Sequence, residues 1–141
     1  MSADCPFCAI AAGTAPAQCI VDAPDVLAFM DLRQAVPGHV LVIPRRHVPD
    51  IYALSMDEAA RIMQVAAQVA RALREICRPA GLNLWQSNGA AGGQEVFHFH
   101  LHVHPRRAGD GLLRVYPAAP RLAAWEELAA LASALRQRLC D

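Results

Sequence analysis

Apolar and polar side chains alternate from Val96 to His104, the period-2 pattern that predicts a strand with one face toward a core. His39-Val40-Leu41-Val42-Ile43 is apolar at both parities, as a strand buried on both faces would be, and Pro44 closes it. Val26–Asp31 reads as another strand with the turn Val36-Pro37-Gly38 behind it, and Asn83–Ser87 as a further one. The period changes after Ser55-Met56-Asp57-Glu58, a capping box. There Ile62, Val65, Val69, Leu73 and Ile76 form one helical stripe, which Pro79 and Gly81 end near Arg78. A polar connection from Arg107 to Pro120 leads to a terminal helix bearing Leu122, Trp125, Leu128, Leu131, Leu135 and Leu139 on one side. Glu126 and Glu127 lie early in it and Arg136 and Arg138 late, the order the helix dipole favours. Antiparallel strands interrupted by one central and one terminal helix predict an α+β fold. The expected organisation is one domain over residues 1–120, with a C-terminal helix, 121–141, packed on it.

Composition narrows the function classes. The 141 residues, 55% of them apolar, suffice for one real core. Lys plus Arg and Asp plus Glu are 13 each, so no global basic field points to a nucleic-acid or membrane surface. An anionic ligand must then be held by local chemistry. The first residues carry neither the charge nor the apolar run of a signal peptide, and no stretch has membrane-spanning length. Five cysteines, an odd number in a chain that does not need staples, point to reducing conditions, so a cytoplasmic location is expected.

Strand geometry puts His98, His100, His102 and His104 on one face and Phe99, Leu101 and Val103 on the other, with same-face imidazoles about 6.5–7 Å apart. Four of the chain's six histidines in register is more than a polar surface needs. One functional reading is a catalytic metal held by imidazoles, but side chains splayed along a strand converge poorly on one ion. The other is covalent catalysis at phosphorus, with one neutral imidazole as nucleophile and its neighbours donating to phosphate oxygens. The glycine-rich Gly89-Ala90-Ala91-Gly92-Gly93 upstream suits that second reading, since its backbone N–H groups can approach a phosphate.

His98-Phe99-His100-Leu101-His102-Val103 resembles the signature of the histidine-triad (HIT) nucleotide hydrolases and transferases, His-φ-His-φ-His-φ-φ with φ apolar. The final φ is His104 here, a departure, although Pro105-Arg106 behind it is familiar from bacterial members. Gly93-Gln94, Gly38–His47 and Cys5-Pro6-Phe7-Cys8-Ala9-Ile10 also look like the family, so the likeness runs from about Cys5 to Arg106. The resemblance implies a HIT-like antiparallel sheet with a central helix, usually in a homodimer. It implies that His100 is the nucleophile and forms a nucleotidyl-histidine, that His102 contacts the α-phosphate, and that Gln94 orients the phosphate or leaving group. Asp31 falls where members bind the ribose hydroxyls, and Asn88 matches a position near the nucleotide, a purine on family grounds. Glu95 stands where many members carry Ser or Thr.

Cys5-x-x-Cys8 has three readings. It is not preceded by the strand a thioredoxin-type redox motif needs, it could be plain core filler, and a structural zinc would require two more N or S ligands. The resemblance supplies them: His47 and His98, completing a Cys2His2 set with Cys5 and Cys8. Arg45, Arg46, Arg106 and Arg107 are either a solvated rim or a lure for an anionic substrate. His39, Trp85 and Trp125 read as packing residues, Ile20 and Phe29 as candidate walls of a base pocket, and Cys19, Cys77 and Cys140 as core or surface thiols. The expected activity is cleavage of a nucleoside 5′-phosphoryl compound, a phosphoramidate or dinucleoside polyphosphate, by hydrolysis or transfer, with no organic cofactor. A non-catalytic nucleotide-binding scaffold and a zinc-dependent metallohydrolase are the alternatives.

Overall fold

The computed structural model describes residues 4–112, 118 and 120–139. The four predicted strands and one more form an antiparallel sheet of five, in the order β1-β2-β3-β5-β4. They are β1 (Cys19–Asp22), β2 (Val26–Met30), β3 (Val40–Pro44), β4 (Gly81–Trp85) and β5 (Leu101–Arg106). The fold is α+β, as the mixture of periods predicts. Every residue of β3 is buried, because the sheet is covered on both faces.

The pleat sorts the two covers. Val26, Ala28, Val40, Val42, Leu101 and Val103 face the long helix α2 (Met56–Cys77) through Ile62, Val65, Ala66, Val69 and Leu73. Leu27, Phe29, Leu41 and Ile43 face the other way, against Cys5, Phe7 and Cys8 around the short helix α1 (Pro6–Ala11). α2 begins in the capping box: Ser55 Oγ accepts from Glu58 N at 3.2 Å and Ser55 N donates to Glu58 Oε2 at 2.9 Å. It ends at Arg78, whose left-handed backbone (φ 45°) closes the helix where a glycine commonly would.

Two details differ from the sequence expectation. α1 and β1 had no counterpart in it; six and four residues are too short to show a period. The histidine strand starts only at Leu101. Upstream of it Phe99 N donates to Val48 O at 2.5 Å and His98 Nε2 to Pro44 O at 2.8 Å, so Val96–His100 follows the 44–48 corner instead of a ladder. The chain divides into two compact units, one through Asp110 and one from Gly111. The second contains α3 (Trp125–Leu139). No helix among the described residues is long and apolar enough to cross a membrane.

Candidate functional site

His100 and His102 lie at the entry to β5 on the α1 side of the sheet; His102 pairs with Leu41 of β3. Both line a cleft of about 310 Å³ whose walls include Phe7, Ile10, Phe29, Leu41 and Val96, with Asp31, Arg33 and Glu95 around it. A larger cavity of about 510 Å³ beside α2 is lined mainly by apolar residues, with Gln68 among them, and holds no histidine. Ile20 lines that larger cavity, whereas Phe29 lines the cleft.

Hydrogen bonds settle which nitrogen each ring can offer. His100 Nδ1 lies 2.7 Å from His98 O, and a carbonyl can only accept, so Nδ1 carries the proton and neutral His100 keeps a bare Nε2. His39 Nδ1 is 3.2 Å from Arg33 O and 3.6 Å from Asp31 Oδ2, so it too carries its proton there. His39 Nε2 then accepts from His102 Nδ1 across 2.9 Å. The two rings have centroids 5.1 Å apart and planes 28° apart, so the nitrogens meet nearly in line. That is the geometry of a shared proton. Asp31, His39 and His102 offer ligand atoms within 4.8 Å of one another, but the two facing imidazole nitrogens are already engaged in the hydrogen bond between them.

Burial pushes His102 down to about 3, reinforced by the charges that His100, His39 and His104 would carry. His39 is lowered by burial as well, against the opposing pull of Arg33 O and Asp31. The free site therefore holds both rings neutral at neutral pH.

Behind His100 lies the cysteine pair. Cys5 Sγ is 3.5 Å and Cys8 Sγ 3.6 Å from His98 Nδ1, and Cys8 Sγ is 3.3 Å from His47 Nδ1. All four ligand atoms fall within 4.8 Å of one another. His98 donates through Nε2 to Pro44 O, which leaves Nδ1 bare toward the sulfurs, the tautomer a metal ligand needs. Two thiols and two imidazoles, with His98 held in that tautomer, suit a closed tetrahedral zinc site. Pro6 starts α1 and Cys5 Sγ accepts from Cys8 N at 3.5 Å, so the Cys-x-x-Cys spacing is the helix cap that turns both sulfurs one way.

Of the residues expected at the site, Asp31, His100 and His102 line the cleft; Asn88 and Gln94 do not. Gln94, 5% exposed, accepts from Gly89 N and donates to Pro49 O and Val96 O. Asn88 accepts from Ile51 N at 2.8 Å and donates to Gln86 Oε1 at 2.5 Å. Arg45 binds Ala23 O, Ala11 O and Asp22, Arg46 grips Glu58, and Arg106 binds Asp110 and Asn83. Arg107 lines a separate cavity. The arginine at the cleft is Arg33, paired with Glu95 at 3.1 Å. Cys19 and Cys77 are exposed thiols, while Cys140 lies outside the described residues.

Sequence reasoning missed His39 and Trp85 as neighbours of His102. His39 is the residue two before Leu41, so its parity with the histidine face was a signal, usable once β3 is known to pair with β5.

The HIT domain profile matches residues 12–109. The Bacillus subtilis protein named protein hit is 36% identical over 139 residues, covering 98% of this chain and 96% of that one. The crystal structure of a HIT family protein from Bacillus anthracis superimposes with a TM-score of 0.90 at 36% identity, covering 98% of this chain and 99% of that chain. A zinc-bound histidine triad family protein from Mycobacterium smegmatis superimposes at 0.73 with 38% identity, covering 93% and 97%.

Proposed function

Because the chain belongs to the HIT domain family, we propose that it binds a purine nucleoside 5′-phosphoryl compound and cleaves it at the α-phosphate through a nucleotidyl-histidine intermediate on His100. One observation carries this reading. His100 spends Nδ1 on a backbone carbonyl and so presents a bare Nε2 in a cleft walled by apolar rings and edged by a carboxylate.

In the first displacement His100 Nε2 bonds to phosphorus and the bond to the leaving group breaks. A phosphate anion beside His102 reverses the balance that keeps this imidazole neutral, so Nε2 takes a second proton and donates to a non-bridging oxygen or the leaving group. In the second displacement water bonds to phosphorus, the P–N bond breaks, and the nucleotide leaves with His100 regenerated. His102, having given up its proton, can accept one from that water. Asp31 accepts the ribose hydroxyl protons, and Phe29, Leu41 and Ile10 enclose the base. Asn88 and Gln94 serve by holding the Gly89–Gly93 loop that leads into Glu95 and Val96.

Cys5, Cys8, His47 and His98 would hold a structural zinc. Bound there, it supplies a fixed junction between the N-terminal segment and His98, the residue whose carbonyl orients His100. The protein is proposed to act as a homodimer in the cytoplasm, where the thiols stay reduced.

The test is nucleotide release from an adenosine phosphoramidate, a diadenosine polyphosphate and adenylyl sulfate, with wild type beside His100→Ala. AMP release that drops by about 10³-fold or more in the variant supports covalent catalysis. Activity retained in His100→Ala removes the nucleophile assignment. AMP binding without turnover in either protein favours the scaffold, and complete, reversible loss of turnover with chelator favours the metallohydrolase.

A further inference from the structure

Trp85, the last residue of β4, is paired directly with His102 across the β4–β5 ladder. Its indole lies flat on that imidazole, with ring centroids 4.2 Å apart and planes only 8° apart. The same indole meets His39 at 36° and His104 at 47°, at 5.3 and 5.4 Å, so His102 is the ring it stacks on. The torsion that sets an imidazole's plane is intrinsically broad and roughly two-fold, so the backbone alone does not orient His102. Two contacts do. The bond His102 donates to His39 fixes which edge of the ring points inward, and the indole face fixes its plane. With Nδ1 taken by His39, Nε2 is the nitrogen left for the cleft that His102 shares with His100.

An indole face is also the best aromatic partner for a cation. The stack therefore favours the imidazolium form that a bound phosphate calls for, without adding a fixed charge to a half-buried site.

We propose that Trp85 is a positioning residue of this site: stacked on His102, it holds that ring's Nε2 toward the phosphate of a bound nucleotide and stabilises the protonated ring that donates there. The proposal rests on the reading of His100 and His102 given above and names the residue that makes His102 effective. The titratable groups around His102 are His39, with Asp31 behind it, from the β2–β3 side, His100 and His104 from its own segment, and Arg33 and Glu95 at the cleft. Trp85 is an uncharged neighbour, so replacing it perturbs the ring without removing a charge from the site.

The experiment compares Trp85→Phe and Trp85→Leu. Turnover of an adenosine phosphoramidate is followed from about pH 5 to 8, the range in which imidazoles titrate. Trp85→Leu is expected to lower kcat about tenfold with KM nearly unchanged and to displace the acid limb of the kcat profile, while Trp85→Phe, which keeps a ring face, recovers most of kcat. Equal losses in both variants with an unmoved acid limb overturn the proposal. A second readout does not need turnover. In a Trp125→Phe background Trp85 is the single tryptophan, and an imidazolium stacked on an indole quenches its emission. Binding of AMP is expected to quench Trp85, more strongly as pH falls, and His102→Ala to abolish the effect. A quench that survives His102→Ala, or its absence in wild type, overturns the proposal. Should wild type release no nucleotide from any substrate yet show the quench on AMP, catalysis by His100 fails while the positioning of His102 stands.

Discussion

Gly38 joins the turn after β2 to β3 at φ +104°, a backbone conformation that L side chains rarely adopt. A Cβ built there would lie 2.9 Å from Leu73 Cδ2, 3.0 Å from Pro105 Cγ and 3.3 Å from Cys77 Sγ. The leucine methyl can rotate away, but the proline ring is rigid and fully buried, so part of the clash must be taken up by β5. Gly13 is the natural control: its φ is +72°, yet nothing lies within 4 Å of its added Cβ. Gly13→Ala should therefore cost only the backbone term, about 1 kcal/mol. Gly38→Ala adds overpacking of about 1–3 kcal/mol, for a total near 3 kcal/mol and a fall in Tm of about 10 °C for a domain of this size. Urea unfolding followed by far-UV circular dichroism separates the two, because the midpoint should move while the slope does not. Equal losses in the two variants would refute the crowding argument and show that Leu73 and Pro105 yield freely. Gly38 also precedes His39, so the same substitution should weaken nucleotide release through His102.

Three further outcomes follow from the geometry. Elemental analysis of protein purified under reducing conditions should give one zinc per chain, lost in Cys8→Ser. At free zinc a hundredfold above its Kd the metal contributes about 2.7 kcal/mol, so a chelator that leaves Tm unchanged argues against the site. Acid should weaken the fold through His39 and His102: both sit near 6.5 when unfolded and lower when folded, His102 at about 3. The unfolded chain binds the extra protons, so stability is full above about pH 6.5 and falls by up to about 1.4 kcal/mol per pH unit per histidine below it. A urea midpoint that stays flat or rises on acidification to about pH 5 contradicts that sign. Finally, Ser55→Ala removes the acceptor for Glu58 N and should cost about 1 kcal/mol, or roughly 3 °C in Tm. Loss of much more would mean that the Glu58 pair with Arg46 collapses with the cap.

Much of the fold was legible because hydrophobic period is a local property. The double-sided burial of β3 and the capped helix α2 were both readable from their own residues, and each agrees with the structure. Where the period was misleading, a contact outside the segment decided. The alternation at Val96–His100 looks like a strand, but His98 and Phe99 bond to the 44–48 corner. Periodicity tells which side of a segment is apolar, not which neighbour its backbone will bond.

For the site the division is similar. The sequence by itself determined that a row of imidazoles shares one face and that Leu101 and Val103 take the other, and it singled out the Cys5/Cys8 pair while leaving its role open. Those conclusions rest on residue chemistry and the fixed two-residue period of a strand. Only the tertiary structure decided that His39 rather than a carboxylate bonds His102, that Trp85 stacks on the same ring, and that Gln94 spends its amide on backbone. These depend on the registers Leu41↔His102 and Trp85↔His102, between residues 61 and 17 positions apart. Pairing over such distances is settled by the packing of the whole sheet against α1 and α2, which no local pattern encodes.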